Sequence, residues 1–156
     1  MRILGIDPGY NILGWSVIEK NQTIVDFGVI ETSAGKRIDE RLMEIHIALA
    51  SIIVRLKPEC AAIEKLFFTK NIKTGMDVAK AIGAVILTLK LNDIGYFEYT
   101  PSQVKQAVTG YGRADKIQMK SMIKSIFKMD AQPRSDDAAD ALAVALCHSL
   151  YGNRIK

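Results

Sequence analysis

The sequence predicts one α/β domain built on a mixed five-stranded sheet covered by helices. Three observations predict it. At 156 residues, 49% of them apolar and 24% charged, the chain is one domain long and apolar enough to form a core, which excludes intrinsic disorder. The first 31 residues hold three β-like runs separated only by turn signals, as in an antiparallel meander. After them, short apolar runs alternate with helical patterns, which calls for strands joined by helical crossovers.

Each element follows from its local pattern. Ile3 to Asp7 is an apolar run stopped by Pro8-Gly9, Gly14 to Glu19 alternates, and Thr23 to Glu31 is β-rich after a break at Asn21-Gln22. From Lys36 to Leu56, the residues Ile38, Leu42, Ile45, Leu49, Ile52, Ile53 and Leu56 recur mostly at helical spacing, and Pro58 lies just beyond. Cys60 to Glu64 is long enough only for a strand, and Lys65 to Lys70 has the composition of an exposed loop. Lys73 to Leu91 is helical despite Gly83, Tyr96 to Tyr99 is a fifth strand, and Pro101 opens a helix at its first turn. Past the break Thr109-Gly110-Tyr111-Gly112, a basic helix from about Ala114 to Lys128 is expected to bury Ile117, Ile123 and Phe127. The final helix, Asp136 to Leu150, is almost wholly apolar apart from Asp140 and is expected to be buried on most sides. No internal repeat or linker interrupts residues 1–156.

Cys60 and Cys147 lie far apart and outside any CxxC pair, so both are expected to be buried, reduced thiols. MRILGID carries no secretory pattern and no apolar stretch reaches membrane-spanning length, which predicts a cytoplasmic protein that does not enter a membrane. The formal charge is +4, and Pro101 to Arg134 alone carries a net +5: Lys105, Arg113, Lys116, Lys120, Lys124, Lys128 and Arg134 against Asp115 and Asp130. Such a face attracts polyanions, nucleic acid foremost, unless it is simply a solvated helix face.

Three apolar elements each carry an acid where burial argues against one. Asp7 and Glu64 end strands, and Asp140 interrupts the last helix, with Asp137 one turn earlier on the same face. Crowded carboxylates need something positive between them. With only oxygen donors and no His or Cys cluster, the pattern favours hard divalent cations, magnesium or manganese, and two such ions astride a phosphate would serve phosphodiester hydrolysis. Each acid also has an ordinary explanation. Asp7 could start a turn, Glu64 could pair with Lys65, and Asp137 could cap a helix. The set is more specific than any member. Lys116, Lys120 and Lys124 stand at helical spacing of four and form a stripe suited to phosphates. Phe67 and Phe68, between Lys65 and Lys70, could stack on an unpaired base beside held phosphates, or pack on their own loop. His46 and His148 offer no catalytic set, and Trp15 reads as core.

GIDPG at 5–9, AIE at 62–64 followed by two Phe, Lys70-Asn71, EYTPSQVKQAVTGYGRADK at 98–116 and DAADALAVALCH at 137–148 together resemble the RuvC family of Holliday junction resolvases across nearly the whole chain. The end motifs are shared with related nucleases; QVKQAVTGYGRADK is more particular. The resemblance implies an RNase H-like fold, a homodimer, and magnesium-dependent resolution of four-way DNA junctions by paired symmetric nicks with ends that a ligase can seal. It also implies branch-migration motor proteins as partners. Asp7, Glu64, Asp137 and Asp140 would be the metal-binding acids, the third position being the one that varies in the family. Lys105 and Lys116 match lysines placed near the scissile phosphate, and Phe67 matches the wedge. Where the family usually has Gln-Ala-Arg-Gly, this chain reads Lys80-Ala81-Ile82-Gly83, so the contact made by that Arg does not carry over. Three rivals share parts of this pattern: actin-like ATPases and sugar kinases, which need a second domain, RNase H-like nucleases that process ribosomal RNA precursors, and a junction-binding protein without catalysis.

Overall fold

The computed structural model describes residues 1–66 and 71–152. Five strands run in the order β3-β2-β1-β4-β5. They are β1 (Arg2–Asp7), β2 (Ile12–Glu19), β3 (Ile24–Glu31), β4 (Cys60–Glu64) and β5 (Gly95–Tyr99). The first three form the expected antiparallel meander, and β4 and β5 add in parallel. The helices are α1 (Ile38–Leu56), α2 (Ile72–Leu91), α3 (Pro101–Thr109), α4 (Lys116–Ile126) and α5 (Asp136–Tyr151).

Strand alternation divides the core. Leu4 and Ile6 of β1, Leu13, Trp15 and Val17 of β2, and Ala61 and Ile63 of β4 pack with Ile45, Leu49, Ile53, Val85 and Leu89 of α1 and α2. The alternate residues Ile3, Ile18 and Ala62 pack with α3, α4 and α5. Period-two geometry therefore puts Ile3, Gly5 and Asp7 on one face of β1, and Cys60, Ala62 and Glu64 on the same face of β4. This is the face that α5 covers.

Small residues let α5 lie almost on the sheet backbone. A Cβ on Gly5 would stand 2.2 Å from the Ala141 carbonyl oxygen, and one on Gly14 only 2.0 Å from that of Asp137. Ser16, fully buried, donates its hydroxyl to the Ala141 carbonyl at 2.9 Å. Ala138, Ala139, Ala141, Ala143 and Ala145 are all buried along the helix. As expected, α5 is enclosed on most sides.

The helix ends follow the local sequence. Lys57 takes the left-handed conformation that closes α1. Thr100 and Gln103 form a reciprocal cap on α3, with Pro101 in its first turn and Gly110 left-handed at its end. Asp115 caps α4 by accepting from the Gln118 N–H at 2.8 Å, and Ser135 caps α5.

Two expectations require correction. In α4 the buried side chains are Met119 and Ile123, while Ile117 is 79% exposed and Phe127 is only partly buried. The helix presents the Met119–Ile123 edge to the core, and Ile117 falls outside that phase. Both thiols are free, but only Cys147 is buried; Cys60 is partly buried. No described helix is long and apolar enough to cross a membrane.

Candidate active site

Asp7, the last residue of β1, pairs across the ladder with Gly14, over which the Asp137 carbonyl lies. The close seating of α5 thus delivers Asp137 and Asp140 to the strand-end acids. Burial, with the charges of Glu64, Asp140 and Asp137, pushes the Asp7 carboxyl up to about 9 from 3.8. Burial and the Asp140 charge push Glu64 up to about 7. Asp140 is also raised, first by burial and then by Asp137 and Asp136, against the pull of Lys116 and Lys120. Acids from three separate segments therefore feel one another in a desolvated place. Among the described residues, no three His, Cys, Asp or Glu side chains are already closed into a metal-ligand cluster. The donor set nevertheless suits a hard divalent cation: all oxygen, more negative charge than the surroundings balance, and at the C-terminal ends of β1 and β4 rather than sealed in the core.

Two lysines face these acids. A cleft of about 350 Å³ is lined by Glu64, Lys105, Lys116 and Asp140, with Pro101, Val104, Ala114, Asp115 and Met119 as its floor and walls. Lys105 comes from α3 and its charge partly offsets the rise at Glu64, as that of Lys116 does at Asp140. On the other side of Glu64, a hollow of about 330 Å³ is lined by Asp7, Glu64 and the exposed Lys65, together with Pro8, Leu66, Val78 and Pro101. The Lys65 N–H donates to the Tyr99 carbonyl at 2.7 Å, which ties the end of β4 to β5.

The sequence-predicted stripe on α4 is not uniformly free. Lys116 is 79% exposed, but Lys120 is 25% exposed and ion-paired with Asp136, and Lys124 is partly buried. Arg113 is exposed before α4. Asp136 was not singled out from sequence. An acid in the first turn of a helix is ordinary, and only the placement of α4 beside α5 reveals its partners. Phe67, Phe68 and Lys70 lie outside the described residues.

The histidines are structural. His46 bonds Thr88 at 2.8 Å, and His148 lies between the Tyr99 hydroxyl at 2.8 Å and the Cys60 thiol at 3.4 Å. A separate hollow of about 480 Å³ beside Tyr99, Gln103, Cys147 and Tyr151 holds none of the acids.

Residues 3–148 match the family model described as crossover junction endodeoxyribonuclease RuvC. The protein of that name from Caldicellulosiruptor saccharolyticus is 47% identical over 159 residues, covering 99% of this chain and 96% of the relative. The Thermus thermophilus RuvC structure superposes with a TM-score of 0.90 at 33% identity, covering 98% of this chain and 96% of that one. The same T. thermophilus protein in complex with a Holliday junction substrate gives a TM-score of 0.91 at 33% identity, covering 97% of this chain and 94% of that one.

Proposed function

The chain belongs to the RuvC family of crossover junction endodeoxyribonucleases, and from that premise we propose that it resolves four-way DNA junctions in recombination and repair by paired, metal-dependent nicks. One observation carries the reading to this chain's own residues: Asp7, Glu64 and Asp140, from three distant segments, share a desolvated site beside Lys105 and Lys116. Such a cluster persists against its own repulsion where function needs it.

Asp7, Glu64, Asp137 and Asp140 would hold magnesium, with manganese as a substitute and two ions per site. A hard divalent ion there supplies charge neutralisation at the scissile phosphate and acidification of water. Everything else falls to the chain. Lys105 and Lys116, which line the cleft from α3 and α4, offset the negative charge that builds on the phosphate oxygens as the bond breaks. Arg113, Lys65, Lys120 and Lys124 bind the flanking phosphates, and the Phe67 wedge with Phe68 and Lys70 meets unpaired bases at the opened crossover. The products carry a 5′-phosphate and a 3′-hydroxyl, ready for ligation.

Symmetric cutting needs two sites related by a twofold axis, and the outer face of α2 fits a second copy of this chain. Ile72, Met76, Leu87 and Leu91 are all more than half exposed along it, and Gly83 leaves a flat spot in the stripe. An apolar helix face of this kind becomes buried in an isologous pair. Acting on chromosomal DNA, the protein would work in the cytoplasm, with branch-migration motors engaged on the same junction as its partners.

The test is a mobile four-way junction incubated with protein and magnesium. Paired nicks in opposing strands support the proposal, and binding without cutting would leave a junction-binding protein. Asp7→Asn and Asp140→Asn are expected to abolish cleavage and keep junction binding; cleavage near the wild-type rate removes that residue from the mechanism.

A further inference from the structure

A single carboxylate bridges α4 and α5, two of the helices that line the cleft. Asp136, in the first turn of α5, is held by two lysines one turn apart on α4: its Oδ2 is 3.8 Å from the Lys116 ammonium, and its Oδ1 is paired with Lys120. It is half exposed and lies one residue before Asp137 and four before Asp140. Lys116 also lines the cleft with Asp140, so it belongs both to the site and to the ion pair outside it.

We infer that Asp136 is a positioning residue, which holds Lys116 and Lys120 in register with the catalytic turn of α5 so that the Lys116 ammonium meets the scissile phosphate already aimed. Lys116 is the first residue of α4 and its side chain is 79% exposed, so its four-carbon stem would otherwise sample many rotamers. One exposed ion pair restrains such a chain weakly. Two lysines sharing both oxygens of one carboxylate restrain it more, and they also fix α4 against α5. An ammonium has three protons, so Lys116 can keep Asp136 on one side and donate to a phosphate on the other.

Simple charge and positioning predict opposite results. Asp136→Asn removes a negative charge from the face that meets DNA, and by charge alone it strengthens binding and speeds the reaction. By positioning, it leaves binding equal or tighter and slows cleavage of junction already bound. The inference rests on the proposed function, so one arm of the test is independent of catalysis.

The first arm uses a synthetic mobile junction, with affinity measured in EDTA and single-turnover cleavage started by magnesium. Asp136→Asn is expected to cleave prebound junction about tenfold more slowly without losing affinity, and Asp136→Glu to recover most of the rate. An unchanged or faster rate in the Asn variant, a loss confined to affinity, or no rescue by Glu overturns the positioning role. The second arm labels free protein with an amine-reactive reagent, without DNA or metal. Lys120 is expected to react several-fold faster in Asp136→Asn than in wild type, and equal labelling overturns the restraint itself. If wild-type protein does not cut junctions, the proposed function fails while the labelling arm still decides whether Asp136 holds the lysines.

Discussion

The two faces of the sheet are built on different principles. Against α1 and α2 the sheet packs through bulky aliphatic side chains, Leu4, Ile6, Val17 and Ile63 meeting Ile45, Leu49, Ile53 and Leu89, with Thr88 and His46 satisfying each other at the helix contact. Against α5 it comes closest at Gly5, Gly14 and Ser16, where helix carbonyls lie almost on the strand backbone, with Ile3 and Ile18 packing beside this contact. The first face separates its layers by whole side chains and holds no site. The second gives up side-chain volume for proximity, and so a carboxylate on a helix can share surroundings with one at the end of a strand. In this molecule the thick layer supplies core volume, and the thin layer brings acids from separate segments together.

Gly14→Ala is the strongest way to break that contrast. Its added Cβ would meet the backbone oxygen of Asp137, which no side-chain rotation can relieve, so the start of α5 must move away from β2 and from Asp7, which pairs with Gly14. We expect a loss of about 1–3 kcal/mol in stability by chemical denaturation, together with about a hundredfold slower cleavage by the protein that remains folded. Full activity would mean that the close seating of α5 does not matter for the site. Leu49→Ala is the counterpart on the thick face. Leu49 is fully buried, and truncation should cost about 2–5 kcal/mol through the cavity it leaves, while cleavage per folded molecule is unchanged. A loss of turnover from this distant cavity would show that the two layers are coupled.

The same contrast governs what could be read from the sequence. The thick face is written in spacing: the three-and-four rhythm of Ile45, Leu49, Ile52, Ile53 and Leu56 is enough to place α1, and the meander and crossovers follow from turn residues and run lengths. Asp7, Glu64 and Asp140 are legible because an acid inside an apolar run has few structural excuses. The thin face is not written that way. Gly5 and Gly14 look like ordinary strand glycines until the α5 backbone is laid over them, and Ser16 gives no sign of its bond to Ala141. Asp136 resembles any first-turn acid, and its lysine partners are set by the packing of α4. Ile117 was misread because the basic helix offers apolar residues at several phases. Met119 and Ile123, four apart and followed by Ile126 and Phe127, mark the phase that packs.

The pH dependence of stability set by a single acid is the most diagnostic. Without metal, the thin face buries carboxylates beside one another, and Asp7 bears most of the cost, first from burial and then from the neighbouring charges. Its folded-state value of about 9 lies above the ordinary 3.8, so the folded form favours the proton. The associated stability is fully present below pH 4 and is lost as pH rises toward 9; Glu64, raised to about 7, adds to the loss in the same direction. Asp7→Asn removes the Asp7 share of this penalty. In EDTA at pH 7 the variant should be more stable than wild type by about 1–3 kcal/mol, a rise of several degrees in melting temperature, and the advantage should vanish near pH 4. Added magnesium should shrink or reverse the difference, because ligand binding to the folded state stabilises only the protein that retains its acids. A variant less stable than wild type at every pH, with or without magnesium, would make Asp7 an ordinary structural residue and remove the electrostatic reason for treating the thin face as a metal site.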